Sequence, residues 1–289
     1  MTAMKDAPAL ARAAVLGSGT MGHGIAQVLA LSGIATQVYD VAAPALDSAR
    51  AKVRANLDQG VEKGKVTAAA REAALAKLAF TTDLARALEG VEVVIEAVPD
   101  RLELKRGLFE TLGKLPKNVL LATNTSSLSI TAIAAAAAHP ERVVGMHFFN
   151  PVHIMKLVEV VRAEQSARPA VELALALAVR LGKDPIEVAD APGFASSRLG
   201  IAIGLEAIRM VEGGVASPAD IDKAMTLWYG FPMGPLRLTD LVGLDVRLSI
   251  AEYLAKELGE RFTPPKLLVD KVARGELGKK SGRGFYEWG

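Results

Sequence analysis

The chain has 289 residues, 51% of them hydrophobic, which is enough for two domains or for one large domain with a smaller partner. A formal net charge of +2 gives no basic field of the kind that nucleic-acid binding requires. The absence of cysteine excludes disulfides and thiolate metal ligands and favours a cytoplasmic location.

Neither the N-terminus nor the longest uncharged stretch predicts a targeting or membrane segment. The first twelve residues contain Lys5, Asp6 and Arg12 without a continuous apolar core, which argues against a signal peptide. Residues 118–140 are uncharged but carry several Asn, Ser and Thr side chains, so they make a poor membrane span. We therefore expect no membrane partner, and we assign no metal site.

Short apolar segments alternate with helical segments through the first two-thirds of the chain. The predicted elements are strands at 13–16, 37–39, 91–98, 119–122 and 143–146, and helices at 21–31, 46–63 and 68–77. The last two helices form a predicted hairpin that is broken at Gly64. Apolar strands separated by helices are typical of a mainly parallel sheet that is covered on both faces.

After about residue 190 the pattern becomes helical. Helices are predicted at 201–212, 218–227, 239–258 and 265–274, followed by one strand at 284–288. The segment "DAPGF", residues 190–194, contains a proline and a glycine where the pattern changes. We therefore predict an α/β fold with a sheet domain at 1–190 and an all-helical C-terminal domain at 191–289.

A glycine-rich turn follows the first predicted strand. Gly17, Gly19 and Gly22 form the pattern G-x-G-x-x-G, and an apolar helix comes next. In a Rossmann-type domain the first glycine permits a tight turn, the second lets the backbone approach a pyrophosphate, and the third packs helix against strand. A purely structural glycine turn is the alternative, and the strand–turn–helix context argues against it.

Asp40 stands at the end of the second predicted strand. An acidic residue there can accept hydrogen bonds from both hydroxyls of an adenosine ribose. The same carboxylate would repel a 2′-phosphate, and no arginine follows until Arg50. These features predict NAD, rather than NADP, as the cofactor.

His147 directly follows the apolar run 143–146, and Glu159 lies inside a second apolar run, 157–161. Oxidation of an alcohol with NAD needs a group that takes the hydroxyl proton, and a histidine suits this role. A half-buried carboxylate that binds the other ring nitrogen would fix the tautomer of the imidazole. From spacing alone, a core histidine with an unrelated surface glutamate remains the alternative.

Six segments together resemble the L-3-hydroxyacyl-CoA dehydrogenases, especially the short-chain 3-hydroxybutyryl-CoA type. They are "GSGTMGHGIA", "VIEAVPD", "NTSSLSI", "GMHFFNPVHIMKLVEVV", "APGF" and "GKKSGRGFYEW", and they keep the family's order from about residue 12 to residue 288. The resemblance implies NAD-dependent, reversible oxidation of an L-3-hydroxyacyl-CoA to the 3-ketoacyl-CoA. It also implies His147 as the general acid/base, with Glu159 as its orienting partner.

The same resemblance suggests further site residues. Ser126 matches a serine that contacts both substrate and cofactor, and Asn150 an asparagine that shapes the site around the histidine. Asp100 and Lys105 match positions that contact NAD, although the family's acidic residue is often glutamate. The other cofactor-binding positions are Gly17, Gly19, Thr20, Met21, Gly22 and Asp40, and those expected to bind the CoA substrate are Asn56 and Lys63. Lys63 has an equally simple interpretation as a solvated lysine.

One departure from the family pattern concerns the acyl site. The family commonly has P-G-F-x-x-N-R, whereas this chain has "PGFASSR", so Ser197 replaces an asparagine that reaches toward substrate and catalytic groups. Serine keeps a donor and an acceptor but is shorter, which bears on the acyl preference and not on the reaction class. The resemblance also implies a homodimer formed through the helical C-terminal domain.

Two other functions remain as alternatives. The first is a dehydrogenase for free hydroxy acids, which uses a catalytic lysine on a similar fold, and the motif "HFFNP" argues against it. The second is a non-catalytic, NAD-binding structural protein. The joint presence of Ser126, His147, Glu159 and Asn150 argues against that function.

Overall fold

The computed structural model describes residues 10–289, and the chain divides into two compact units at Asp190 and Ala191. The prediction about a signal peptide falls mainly on residues 1–9, outside the described part. Within residues 10–289, no helix is both long enough and apolar enough to cross a membrane.

The first unit is built on an eight-stranded sheet with the order β3-β2-β1-β4-β5-β6-β7-β8. Every neighbouring pair of these strands is parallel except β6 and β7, which are antiparallel. The strands are β1 (Arg12–Leu16), β2 (Ala35–Tyr39), β3 (Leu78–Thr81), β4 (Val93–Glu96), β5 (Leu120–Thr123), β6 (Val143–Phe148), β7 (Leu157–Arg162) and β8 (Asp184–Ala189).

Helices connect the strands and cover the sheet. They are α1 (Gly22–Leu31), α2 (Ala43–Glu62), α3 (Ala68–Ala76), α4 (Leu84–Ala87), α5 (Leu102–Leu112), α6 (Ile130–Ala134) and α7 (Arg168–Arg180). The central strands β4 and β5 are buried at every position, which explains their continuous apolar sequences. The predicted hairpin of α2 and α3 is confirmed, with a break at Gly64, whose φ is +63°.

Three strands were not predicted. The run 157–161 was noted as apolar but not assigned to a strand, and it forms β7; the other two, β3 and β8, lie at the edges of the sheet. In β3 no residue is fully buried, and in β8 exposed and half-buried positions are mixed. An edge strand needs no continuous apolar run, because only one of its sides pairs with a neighbour. The sequence signal used for the inner strands is therefore absent from both.

The second unit consists of α8 (Ser196–Glu212), α9 (Pro218–Trp228), α10 (Pro235–Val242), α11 (Leu244–Leu258) and α12 (Lys266–Ala273). The single helix predicted at 239–258 is wrong. Gly243 has φ +105° and separates α10 from α11, because a residue in that conformation cannot continue a right-handed helix.

The strand predicted at 284–288 is also wrong. The structure has two isolated bridges there, Gly278 with Arg283 and Arg283 with Glu287. The buried carboxylate of Asp240 accepts hydrogen bonds from the backbone N–H groups of Phe285 at 2.8 Å and Tyr286 at 2.9 Å. The apolar C-terminal segment is thus held by a side chain of α10 and not by a strand partner.

Candidate active site

The glycine turn between β1 and α1 has the form that a phosphate-binding turn requires. A Cβ atom on Gly17, whose φ is +97°, would lie 2.6 Å from the carbonyl oxygen of Ala97, and one on Gly22 would lie 1.7 Å from that of Gly17. Around Gly19, in contrast, no described atom lies within 4 Å of such a position. The backbone at Gly19 is therefore accessible to a ligand in front of the N-terminus of α1. The turn also contains two residues predicted to bind the cofactor, Thr20 and Met21.

Asp40 follows β2 and lies beside this turn. Its Oδ2 accepts hydrogen bonds from the backbone N–H of Ser18 at 2.9 Å and from its hydroxyl at 2.8 Å, and Oδ1 accepts one from the backbone of Ala42 at 3.1 Å. Burial alone would raise the pKa of Asp40, but these hydrogen bonds outweigh it and lower the pKa. The group is thus an anion at neutral pH, as ribose recognition requires.

A cluster of charges is buried at the carboxyl ends of β4 and β5. Glu96 accepts hydrogen bonds from Lys105 Nζ at 2.7 Å and from Thr123 Oγ1 at 2.6 Å, and Lys105 Nζ also lies 3.2 Å from Asp100 Oδ1. Burial raises the pKa of Glu96, although Lys105 and Thr123 oppose this effect. The side chain of Lys105 has no accessible surface, so it does not present itself to a cofactor in this conformation. The structure pairs Lys105 with the carboxylates of Glu96 and Asp100.

Asp100 links this cluster to the loop after β5. Its Oδ2 lies 3.4 Å from both the backbone nitrogen and the hydroxyl of Ser126. The Asp100 side chain is 37% exposed and Ser126 is half-buried, so both are accessible, unlike Lys105. Buried Glu96 therefore connects to Ser126 through Lys105 and Asp100.

His147 and Glu159 form a buried pair across two strands. They are register partners in the antiparallel pair β6–β7, and Nδ1 of His147 lies 2.8 Å from Oε2 of Glu159. The glutamate side chain has no accessible surface, while 9% of the histidine side chain is accessible. The ring of Phe149 lies 4.4 Å from the imidazole, between centroids. The imidazole is therefore held by an acceptor on one side and an aromatic ring on another.

The end of β6 is fixed by a residue that the sequence analysis missed. Buried Asn124 accepts a hydrogen bond from the backbone N–H of Phe148 at 3.0 Å, which ties the loop after β5 to the strand that carries the histidine. Asn150 is exposed two residues beyond β6, and its peptide bond to Pro151 is cis. A polar residue directly after a buried strand was the signal that could have identified Asn124.

Asn56 and Lys63 line a cavity of about 860 Å³ in the first unit. Its other basic lining residues are Lys65, His153, Lys156, Arg180 and Lys183. Asn56 donates a hydrogen bond to Gln27 Oε1 at 3.1 Å, which fixes its amide at the wall. A cavity lined by so many cations attracts a multiply charged anion.

Lys183 anchors the loop after β6 to this cavity. Its ammonium group donates hydrogen bonds to the carbonyl oxygens of Met155, at 2.8 Å, and Val152. Burial, together with the charge of Lys156, lowers the pKa of Lys183 to about 8. Burial and the charges of His23, Lys183 and Lys63 likewise lower the pKa of His153. In both cases burial is the larger cause, and the neighbouring positive charges add to it.

The last predicted site residue lies in the second unit. Ser197 occupies the first turn of α8 and is half-buried. Phe194, shortly before it, is a non-glycine residue with positive φ, at +49°. Backbone of this kind is uncommon and often occurs at functional sites.

A glycine turn with an acidic residue after β2, and a buried histidine–glutamate pair near the carboxyl end of β6 in the same sheet, define a Rossmann-type oxidoreductase that uses a dinucleotide. Residues 12–191 match the family described as "3-hydroxyacyl-CoA dehydrogenase, NAD binding domain", and residues 193–288 match its C-terminal domain. The chain belongs to the 3-hydroxyacyl-CoA dehydrogenase family.

Individual relatives agree with this membership. The chain is 43% identical to a probable 3-hydroxybutyryl-CoA dehydrogenase of Bacillus subtilis, over 95% of this chain and 96% of that protein. It is 46% identical to a 3-hydroxyadipyl-CoA dehydrogenase of Escherichia coli, over 95% of this chain and 58% of that protein. The crystal structure of (S)-3-hydroxybutyryl-CoA dehydrogenase from Ralstonia eutropha superposes with a TM-score of 0.93 at 38% identity, over 97% of this chain and 99% of that one.

The family match confirms several predictions made from the sequence. The resemblance itself, the α/β fold class with a helical C-terminal part, and the assignment as an NAD-dependent dehydrogenase are all correct. The residues around the turn fit NAD, because Gly19 leaves space for a pyrophosphate and Asp40 is held as an anion.

Proposed function

We propose that this protein catalyses the reversible oxidation of an L-3-hydroxyacyl-CoA to the 3-ketoacyl-CoA, with His147 as the proton-transfer group. The observation that carries the proposal is the 2.8 Å contact between His147 Nδ1 and Glu159 Oε2, both buried between β6 and β7. Membership of the 3-hydroxyacyl-CoA dehydrogenase family supports the reaction class.

The pair can move a proton in both directions. An ionised Glu159 only accepts hydrogen bonds, so it selects the tautomer of His147 that carries its proton on Nδ1. Nε2 then has the lone pair that takes the proton of the substrate hydroxyl, and Glu159 stabilises the imidazolium that results. When bound, NAD supplies the acceptor for the hydride that leaves the hydroxyl-bearing carbon. In reduction, protonated His147 returns its proton to the carbonyl oxygen.

The cofactor-binding residues that we propose form two groups at the carboxyl ends of neighbouring parallel strands. The turn that contains Gly17, Gly19 and Gly22 holds the pyrophosphate, and Asp40 holds the adenosine ribose. At the carboxyl ends of β4 and β5, Asp100 and Ser126 lie on the accessible side of the buried charge cluster. We propose that these two contact the nicotinamide half of the cofactor, while Lys105 acts through Asp100 and not by direct contact.

The cationic cavity supports CoA as the carrier of the acyl group. Coenzyme A carries several phosphate charges, and we propose that Asn56 and Lys63 bind this phosphate-bearing part. Ser126, Asn150 and Ser197 are proposed to contact the acyl end. The Bacillus and Ralstonia relatives are named for 3-hydroxybutyryl-CoA and the Escherichia relative for 3-hydroxyadipyl-CoA, so a short acyl chain is the best-supported class.

One assay separates this function from its alternatives. The protein should oxidise NADH when acetoacetyl-CoA is added and should ignore free acetoacetate at the same concentration. Turnover of free acetoacetate at a comparable rate would indicate a dehydrogenase for free acids. Binding of NADH without turnover of either compound would indicate a non-catalytic protein.

We also propose a homodimer formed through the second unit and a cytoplasmic location. Large apolar side chains of that unit are exposed, among them Leu199 at 63%, Leu227 at 75% and Trp228 at 82%. Exposed apolar groups on this scale commonly mark an interface. Sedimentation equilibrium tests the dimer, and a mass of one chain at micromolar concentration would contradict it.

A further inference from the structure

Arg247 is a buried cation without a counter-ion. It lies in α11, only 8% of the residue is accessible, and its Nε is enclosed without an acceptor. Within residues 10–289 no hydrogen bond or ion pair is made by this side chain. Burial lowers its pKa to about 10, so it is still charged at neutral pH. A buried charge of this kind is costly unless a ligand or a partner supplies an anion.

The guanidinium group faces α8 at a glycine. A Cβ atom placed on Gly200 would lie 3.3 Å from Nη1 of Arg247, and no other described atom would lie within 4 Å of it. Gly204 is the next glycine along the same face. A Cβ atom placed on it would lie 3.4 Å from Thr239 Oγ1, and this buried hydroxyl has no hydrogen-bond partner. The glycine face of α8 thus borders two polar side chains whose hydrogen bonding is incomplete.

Ser197, which we propose to contact the acyl end of the substrate, lies on this same face of α8. Ser197 and Gly200 are three residues apart on α8, so they lie on one face and are separated by roughly 4.5 Å along the axis. Three carbon–carbon bonds of about 1.5 Å span a similar distance. A chain that extends three carbons beyond the reacting carbonyl therefore has the length to reach from Ser197 to the guanidinium group.

The chemistry of the guanidinium group defines the ligand. It is planar and always charged near neutral pH, and it binds a carboxylate through two parallel hydrogen bonds. An uncharged acyl chain would leave this cation unpaired, whereas a chain that ends in a carboxylate would form an ion pair with it.

We propose that Arg247 binds the terminal carboxylate of the acyl chain, so that the preferred substrates are CoA thioesters of six-carbon 3-hydroxy dicarboxylic acids. This inference rests on the proposed function, because it assigns the substrate class of the same site. Arg247 then selects substrates by their charge, and the absence of a protein carboxylate near it is what leaves the site available to the ligand.

The test compares two thioesters of equal length. We expect kcat/KM with NADH for 3-oxoadipyl-CoA to exceed that for 3-oxohexanoyl-CoA by roughly ten- to a hundred-fold, as for a hydrogen-bonded charge pair. Arg247→Met keeps the length of the side chain and removes its charge, so this ratio should fall close to one. Gly200→Ala should lower the ratio part of the way, because the added methyl group crowds Nη1.

Arg209→Met is the matched control. Arg209 is half-buried near the C-terminal end of α8, where it contacts Glu206 and the carbonyl oxygen of Thr263, so the variant loses the same charge elsewhere in the second unit and should keep the parental ratio. Because Arg247 is unpaired in the free protein, Arg247→Met should also raise the Tm. The Tm of each variant is measured together with the ratio, so that ratios are compared only among folded proteins.

Three outcomes would overturn the inference. The first is a ratio near one in the parent protein, and the second is a high ratio that persists in Arg247→Met. The third is a variant with an unchanged ratio that no longer forms a dimer, which would assign Arg247 to a carboxylate of a second copy. Failure of the proposed function is distinguishable, since none of the thioesters, acetoacetyl-CoA included, would then be reduced.

Discussion

His147 of β6 and Glu159 of β7 stand directly opposite each other in the antiparallel pair, with Nδ1 and Oε2 2.8 Å apart. Directly opposed residues have Cβ atoms about 5 Å apart, so the imidazole and the carboxylate meet without distortion. A slip of one residue in the register would move Glu159 to the other face of the sheet. The twelve-residue spacing in the sequence is thus a consequence of the turn between the two strands.

The antiparallel pairing has a further consequence for the site. Within the described sheet, β7 and β8 run opposite to the other six strands, and the reversal at β7 brings its third residue beside the carboxyl end of β6. If β7 ran parallel to β6, that end would face the last residues of β7 instead. The reversal is therefore what joins the proton-transfer histidine to its carboxylate.

The first prediction concerns the choice between NADH and NADPH. Because Asp40 is held as an anion by Ser18 and Ala42, it should repel a 2′-phosphate, and kcat/KM for NADH should exceed that for NADPH at least ten-fold, or about 1.4 kcal/mol. Asp40→Ala should reduce this ratio, mainly because the variant binds NADH more weakly. Equal kcat/KM values in the parent protein would refute the assignment of Asp40.

The second prediction concerns the cationic cavity. Lys63→Met should raise KM for acetoacetyl-CoA by about two- to five-fold, as expected for an exposed charge pair. KM for acetoacetyl-pantetheine, which lacks the nucleotide, should not change. Lys52→Met is the control, since Lys52 lies on α2, which ends just before Lys63, and does not line the cavity. The same increase for both thioesters would show that Lys63 does not bind the phosphates.

The third prediction is a pH dependence of stability. The pKa of Lys183 is lowered to about 8 from its usual 10.5, so between these values the unfolded chain binds more protons than the folded one. The contribution of Lys183 to the free energy of unfolding should therefore rise as the pH increases from 8 to 10.5.

Lys183→Met isolates this contribution. The difference in unfolding free energy between parent and variant should change with pH in that window, whereas the difference for Lys52→Met, an exposed lysine that does not line the cavity, should change much less. A parent-minus-variant difference that is flat from pH 8 to 10.5 would mean that the ammonium group of Lys183 is not the titrating group.

The fourth prediction concerns Ser197, which replaces the family's asparagine in the first turn of α8. If its hydroxyl contributes one neutral hydrogen bond to the substrate or catalytic groups, Ser197→Ala should cost about 0.5–1.5 kcal/mol, or roughly two- to twelve-fold in kcat/KM for acetoacetyl-CoA. Affinity for NADH should not change. An alanine variant with parental kinetics would mean that Ser197 is a spacer, and Ser196→Ala should then be measured.

Much of the fold was predictable because its inner strands are buried on both faces. β1, β4, β5 and β6 are continuous apolar runs, and each was located within a few residues. The edge strands β3 and β8 were missed because exposed positions give them no such run. The break at Gly243 was missed because an isolated glycine inside an apolar, helical pattern is usually tolerated.

The site was predictable where a motif fixes the geometry and unpredictable where packing does. The glycine turn, Asp40 and the pair of His147 with Glu159 are identifiable from local pattern or family resemblance. The pairing of Lys105 with Glu96 was not, because Glu96 lies inside a strand and only the tertiary fold brings the two side chains together. Arg247 gave no signal either, since burial without a partner appears only in three dimensions.

The fifth prediction concerns how the pair acts. Glu159→Gln keeps the shape of the side chain and removes the charge that stabilises the imidazolium, so kcat should fall, and the effect should be much smaller when His147 is already replaced. If the effects of His147→Gln and Glu159→Gln simply add in the double variant, the two residues do not act as a unit.

The most direct test of the account is kcat for the reduction of acetoacetyl-CoA by NADH, measured in the parent and in His147→Gln. Glutamine preserves much of the packing of the imidazole but cannot carry the proton. We predict that the parent is active and that the variant is slower by about 10²–10⁴-fold. Its affinity for NADH, measured by fluorescence, should be retained. A His147→Gln variant that binds NADH and keeps the parental kcat would contradict the assignment of His147 as the acid/base.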